Sequence, residues 1–261
     1  MLTTNTYTCI TGASSGIGRA AAKKFAEQGH NLIIIARRKQ LLEELAHELM
    51  HQFPAIDVVI KTTDLSLPEH ALALYNELHD YHITTWINNA GFGNYASVAE
   101  QDLTKISKLL HLNIETLTLL SSLYVKDYCN QAGAQLINIS SRGGYTIVPN
   151  AITYCASKFY VSAFTEGLAQ ELRSGGFPLQ AKVLAPAATK TEFGKHATDQ
   201  QIYDYDSHFA AYHTSEEMAD FLMQLHASSC TTGLVNTDDF SFTLSGPLLP
   251  SAFYYFLIKT I

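Results

Sequence analysis

The sequence predicts an α/β fold, a doubly wound parallel β-sheet with helices on both faces, spanning residues 1–261 as a single domain. Three observations predict it. Short β-branched or aliphatic runs alternate with longer helical patterns through the first two-thirds of the chain. Several of those runs are almost continuously apolar, as strands buried on both faces must be. A glycine-rich turn stands directly between the first run and the first helical stretch. A chain of 261 residues can bury about 75% of its unfolded surface, and no Pro/Gly/Ser linker or repeat divides it.

The predicted strands are Tyr7–Thr11, Leu32–Ala36, Asp57–Thr62, Thr85–Asn88, Gln135–Ser140 and Gln180–Ala185. Between them the helical spacing predicts helices over Gly16–Gln28, Lys39–Gln52, Pro68–Tyr81, Gln101–Cys129 and Tyr154–Ser174. Leucines in LLEELAHELM repeat at helical intervals, and Pro68 suits a first helical turn. Right-handed crossovers between parallel strands place a ligand crevice at the carboxyl ends of the strands. After the sixth strand, residues 193–214 are polar, rich in Tyr and His, and show no clear strand. Their place in the chain suits a lid over the crevice. The apolar tail 247–261 is too short to span a bilayer. Packing on its own core or in a homodimer contact is preferred for it over resting on a membrane.

Hydrophobic residues make up 47% and charged residues 16%, which excludes a disordered chain. A formal charge of −7 argues against a nucleic-acid partner. Cys9, Cys129, Cys155 and Cys230 lie far apart with no CxxC pair, so neither a disulfide framework nor a zinc site is expected. Eleven histidines include no HExxH spacing, and no catalytic metal is expected. No signal peptide is visible at the N-terminus, and the expected location is cytoplasmic.

The turn TGASSGIG spans Thr11–Gly18. Gly12 can turn the chain, Gly16 lets backbone approach a phosphate, and Gly18 permits close helix packing. The helix that follows offers unpaired N–H groups and its dipole to a pyrophosphate, and Ser14 and Ser15 add hydroxyl donors. The second strand ends on Ala36, where an NAD site would carry an acid for the ribose hydroxyls. Arg37 and Arg38 follow, and a guanidinium can bind a 2′-phosphate through charge-assisted hydrogen bonds. Arg37 is assigned the main role, and NADP(H) is preferred over NAD(H).

Tyr154 and Lys158 form YCASK, a spacing of four that stacks both side chains on one helix face. A free tyrosine ionises near pH 10, so proton exchange at neutrality asks for about 4 kcal/mol. One ammonium at about 4 Å in an effective dielectric near 20 is worth about that much. Ser141 ends the preceding strand 13 residues earlier, where its hydroxyl could hold a substrate carbonyl; Ser140 is the rival, since successive strand residues point opposite ways. NNAG, Asn88–Gly91, ends another strand at the same edge, and Asn113 stands inside a leucine-rich helix.

Together these residues resemble the short-chain dehydrogenase/reductase family, in its compact branch, from Tyr7 to about Phe193. The resemblance implies a Rossmann-type fold and transfer of hydride between a nicotinamide and a carbonyl or alcohol. It implies a catalytic tetrad of Asn113, Ser141, Tyr154 and Lys158, with Tyr154 as general acid/base. Lys158 would lower the tyrosine's pKa and bind the nicotinamide ribose, and Asn113 would anchor a water. The cofactor would meet Gly12, Ser14, Ser15, Gly16, Ile17 and Gly18, and Asp64 and Leu65 would contact its adenine. Asn89, Ala90 and Gly91 would lie beside the adenosine ribose, and Thr189 and Thr191 at the carboxamide. The sequence departs from the family at Pro186–Ala187, where Pro-Gly is usual, and in the segment after Gly233, which lacks the usual glycine-rich ending. Phe92, Tyr95, Tyr145 and Phe193, with Val148 and the lid residues Tyr203, Tyr205, Phe209 and Tyr212, are the candidates for the substrate pocket. An aromatic lining suits an apolar or ring-bearing small molecule. A non-catalytic dinucleotide-binding sensor or scaffold is the alternative, and it would be favoured by loss of a tetrad residue.

Overall fold

A computed structural model of the chain describes residues 5–250. The segment 251–261, most of the apolar tail singled out above, lies outside the described residues. The chain alternates strands and helices: β1 (Thr6–Thr11), α1 (Gly16–Glu27), β2 (Asn31–Ala36), α2 (Lys39–Gln52), β3 (Val58–Thr62), α3 (Pro68–Glu77) and β4 (His82–Asn88). Then come α4 (Leu103–Leu110), a wide π turn (His111–Thr116), α5 (Leu117–Tyr128), β5 (Gln135–Ile139), α6 (Ile152–Ser174) and β6 (Gln180–Ala185). The last part contains β7 (Thr189–Lys190), α7 (Phe193–Thr198), α8 (Tyr205–His208), β8 (His213–Thr214), α9 (Ser215–Ala227), β9 (Thr232–Val235) and β10 (Phe242–Ser245).

Among the described residues eight strands form one sheet in the order β10-β9-β6-β5-β4-β1-β2-β3. All neighbours run parallel except β10, which returns antiparallel to β9. Both faces are buried, and alternate strand residues divide between them. Ile10, Ile34, Ile87, Ile137 and Leu184 face a core built with α1, α2 and α9. Cys9, Ile33, Ile35, Trp86 and Leu136 face the core under α3, α5 and α6. That explains the near-continuous apolar runs. Strand order reverses between β1 and β4, which opens a crevice at their carboxyl ends.

All six sequence-predicted strands are present, and four of the five helices run within about two residues of their predicted ends or are shortened at one end only. The helix from Pro68 stops at Glu77 rather than Tyr81, because Tyr81 N–H donates to the Leu78 carbonyl in a turn. The fifth, predicted as one helix over 101–129, is divided by the π turn that carries Asn113. The end of the lid segment, His213–Thr214, forms a two-residue parallel ladder with Thr189–Lys190 just before it, where the sequence predicts no strand. Helix α9 was not anticipated, although its capping box is written in the sequence: Thr214 accepts from Glu217 N–H, and the Glu217 carboxylate accepts from Thr214 N–H. Among the described residues no helix is long and apolar enough to cross a membrane.

Candidate active site

The glycine turn is fixed by its neighbours. Gly12 and Gly16 have φ of +70° and +54°, values open to glycine at little cost. A Cβ on Gly18 would stand 2.5 Å from the Gly12 carbonyl oxygen, so helix and turn meet at backbone distance. Asn89 straps the turn to β4, donating through Nδ2 to the Thr11 carbonyl at 2.9 Å. The Thr11 hydroxyl accepts from the N–H groups of Asn89 and Ala90, both at 3.0 Å. No side chain caps the first turn of α1. Its free N–H groups and dipole therefore face the crevice, an arrangement that attracts anions.

Arg38 is the guanidinium that reaches this turn. It donates to the Ser14 hydroxyl at 3.1 Å and the Ser15 hydroxyl at 2.7 Å, and it pairs with Glu192 at 2.8 Å. Arg37, given the leading role on sequence grounds, is more exposed and stands 3.9 Å from Asp64. The Asp64 carboxylate accepts from the N–H and hydroxyl of Ser66 and remains below the usual carboxylate range, since these bonds and Arg37 outweigh its desolvation. Leu65 is buried beside it, and its carbonyl accepts from Thr116.

At the other end of the crevice the four proposed catalytic side chains come together. A Cβ on Gly143 would lie 3.4 Å from Ser141 Oγ and 3.7 Å from a Tyr154 ring carbon. One on Gly91 would lie 3.0 Å from Asn113 Oδ1 and 3.5 Å from Lys158 Nζ. Asn113 points inward because the π turn widens the helix there. Its Nδ2 donates to the Phe92 carbonyl and to Ser157 Oγ, and its Oδ1 accepts from Phe92 N–H. The rival Ser140 has its hydroxyl engaged, donating to the Lys158 carbonyl and meeting Ser162. Ser141 Oγ accepts from Gly143 N–H at 3.0 Å and remains next to Tyr154.

Burial dominates the electrostatics. It pushes the Tyr154 phenol well above its ordinary value of 10.0, with the Ser141 hydroxyl pulling the other way. It pushes Lys158 down to about 8. The Lys158 amine donates to the Ile139 carbonyl at 2.8 Å and lies 6.0 Å from the centre of the Tyr154 ring. The expected lowering of the tyrosine by this lysine is not seen: desolvation sets the direction, and the opposing pull comes from Ser141.

A cleft of about 800 Å³ joins the two ends. Its lining includes Gly12, Ser14, Ser15, Gly16, Ile17, Arg37, Arg38, Asp64, Leu65, Asn89, Ala90, Gly91, Ser141, Tyr154, Lys158, Thr189 and Thr191. Thr191 lies over the turn, 3.1 Å from where a Gly16 Cβ would be. Phe92, Tyr95 and Phe193 line the opposite end, with Phe193 packed 5.3 Å from the Tyr154 ring. From the lid, Tyr203, Tyr205 and Phe209 line it, whereas Tyr212 turns away to Asp206. The reading of Tyr145 as a pocket residue is corrected. Its hydroxyl donates to the buried carboxylate of Glu166, which draws the ring behind the turn and out of the cleft. Sequence reasoning missed the Arg38–Glu192 pair and the tie from Lys105 to Asp199 and the His196 carbonyl, which fasten the lid at two points. Neither pairing has a local sequence pattern to reveal it.

Comparison with known proteins agrees with this geometry. Residues 6–202 match the short chain dehydrogenase family. The chain belongs to the short-chain dehydrogenase/reductase family of oxidoreductases. It is similar to an uncharacterised oxidoreductase of Staphylococcus saprophyticus, 31% identical over 74% of this chain and 78% of that one. It is also similar to sulfoacetaldehyde reductase 2 of Chromohalobacter salexigens, 32% identical over 74% of this chain and 79% of that protein. A short-chain dehydrogenase from Sphingobium yanoikuyae, solved in complex with NADPH, superposes with a TM-score of 0.76 at 30% identity, covering 84% of this chain and 83% of its own.

Proposed function

We propose that this member of the family is an NADP(H)-dependent carbonyl reductase, acting in reverse as an alcohol dehydrogenase. The observation that carries the proposal is the convergence of Ser141, Tyr154 and Lys158 on a cleft that begins at the glycine turn, with Asn113 buried beside Gly91 in its wall. The residues present suit a nicotinamide dinucleotide: an uncapped helix end for its pyrophosphate, a buried Leu65 with Asp64 for the adenine, and a clear space in front of Lys158 kept by Gly91. When bound, such a cofactor supplies or accepts the hydride. Arg38, with Ser14 and Ser15, would hold a 2′-phosphate, and Thr189 and Thr191 the carboxamide. The NADPH-bound Sphingobium relative and the aldehyde named for the Chromohalobacter enzyme support the same reading.

Ser141 holds the substrate carbonyl oxygen by donating its hydroxyl. Tyr154 gives its phenolic proton to that oxygen as negative charge develops there. The Tyr154 phenol carries its proton at neutral pH, as an acid in the reducing direction must, and its burial leaves the stabilisation of the developing phenolate to its neighbours. As the phenolate forms, the Lys158 ammonium on the same helix face stabilises it, and the buried setting strengthens that attraction. Asn113 positions the loop at Phe92 and orders the space beside Lys158. Phe92, Tyr95 and Phe193 give the substrate an apolar, aromatic wall.

The test is Tyr154→Phe, assayed by NADPH absorbance with aldehydes and ketones. Turnover should fall at least about a thousandfold, the scale of losing a positioned proton donor, while NADPH binding stays near that of the unaltered protein. Turnover surviving in the variant would remove Tyr154 from the mechanism.

A further inference from the structure

Several cations line the cleft, and most are already paired. Arg37 stands by Asp64, Arg38 by Glu192 and Lys105 by Asp199, and Lys158 donates to the Ile139 carbonyl. Arg142 differs. It lines the cleft immediately after Ser141, is half-buried, and its Nε is shut off from solvent without a hydrogen-bond partner among the described residues. No ion pair reaches its guanidinium among those residues either. Lys108, another lining cation without an ion pair there, is exposed, so water can satisfy it.

A half-buried guanidinium that lines a cleft with no counter-charge marks a place that an anionic ligand can complete. The turn that presents Arg142 is well fixed. Its N–H donates to the Pro186 carbonyl at 2.6 Å, its carbonyl accepts from Tyr145 N–H, and Tyr145 is held in turn by Glu166. The guanidinium thus leaves a braced backbone one residue from the hydroxyl assigned to the substrate carbonyl. The groups proposed for the phosphate, Ser14 and Ser15 of the glycine turn and Arg38 bound to them, lie elsewhere, so this charge is free to select among substrates.

We infer that Arg142 binds an anionic group of the substrate, and that the substrate class is carbonyl compounds carrying a carboxylate or sulfonate on an apolar body. The inference rests on the reductase reading for the carbonyl. It adds the charge: a planar guanidinium matches a carboxylate through paired, charge-assisted hydrogen bonds. Once the anion is seated, the guanidinium gains the counter-charge it lacks. A neutral analogue leaves that charge in the cleft without a partner, which is how such sites reject molecules lacking the charged group.

The experiment compares phenylglyoxylate and 4-oxopentanoate with their methyl esters, in the unaltered protein and in Arg142→Gln and Arg142→Lys. The acids should be preferred at least tenfold in kcat/KM. Arg142→Gln should cut that value about a hundredfold for the acids and less than threefold for the esters, with KM for NADPH unchanged; Arg142→Lys should recover part of the loss. Calorimetric titration of the acids into the protein with NADP+ supplies a readout that needs no turnover, and Arg142→Gln should weaken that binding to a similar degree. Equal use of esters and acids, an equal loss on both, a raised KM for NADPH, or acids that bind no better than esters would overturn the inference. If the acids bind through Arg142 but nothing is reduced, the reductase reading fails and the anion site stands. If esters are reduced and acids neither bind nor react, the reverse holds.

Discussion

Two lysines are buried at opposite ends of the sheet, Lys158 at 5% exposure and Lys182 at 1%. Burial depresses both to about 8. Their surroundings differ. Lys182, at the amino-end side of β6, donates to three carbonyls, those of Leu225, His226 and Ser228, where α9 ends. Its three N–H groups are all used, and its charge lies against the negative end of a helix dipole. Lys158 donates to one carbonyl, and its remaining N–H groups face the cleft. A buried charge with every donor engaged holds the fold together, whereas one with donors to spare can serve a ligand. A shifted pKa alone would not separate the two.

The comparison breaks most sharply by replacing each lysine with methionine, which preserves much of the side-chain volume. Lys158→Met should lower kcat/KM for carbonyl reduction at least about a thousandfold, or ~4 kcal/mol, while shifting thermal unfolding little. Lys182→Met should do the opposite. Three carbonyls lose their donor, so stability should fall by about 3 kcal/mol, or ~6–12 °C in Tm, with activity per folded molecule near normal. Calorimetry and steady-state kinetics on both variants decide it. A stable but inactive Lys182→Met would mean that the cation at the amino end also reaches the chemistry.

Lys158 was legible in the sequence because its partner in function, Tyr154, is four residues away on the same helix. Lys182 was not: LQAKVLA reads as an ordinary strand, and the carbonyls it serves are more than 40 residues on. The same division runs through the molecule. The glycine turn, the strands and the capping box at Thr214 are local patterns, and all are written in the sequence. Arg38–Glu192, Tyr145–Glu166 and the π turn at Asn113 depend on contacts between distant segments. Tyr145 shows how proximity misleads: it closes the turn that starts at Ser141, yet Glu166 pulls its ring away from the site.

The amino end should also respond to acid below neutrality. His226 is held down to about 4, first by burial and then by His30 and Lys182, and its Nε2 meets the Thr85 hydroxyl at 3.2 Å. A histidine depressed in the folded state is neutral there while the unfolded chain takes up a proton. Stability is therefore full above about pH 6.5 and declines as pH falls towards 4, by about 2–3 kcal/mol in all. His226→Gln should flatten that slope in urea unfolding measured from pH 7 to 4.5. An unchanged slope would assign the acid sensitivity to another group.

The smallest effect concerns a third cation, neither fully engaged nor buried. Arg38 sits at the rim, shared among Ser14, Ser15 and Glu192, and Arg37 is more exposed still. If spare donors mark function, Arg38 should be the main discriminator between NADPH and NADH, because it is the guanidinium already beside the glycine turn. Arg38→Ala should lower the NADPH-to-NADH ratio of kcat/KM about tenfold, or ~1.4 kcal/mol, and Arg37→Ala by less. Arg38 also gives up an ion pair with Glu192 to take a phosphate, so Glu192→Gln should raise the ratio a few-fold. A larger loss in Arg37→Ala would return the leading role to that residue, and an unaltered ratio in both variants would remove the 2′-phosphate from this corner of the cleft.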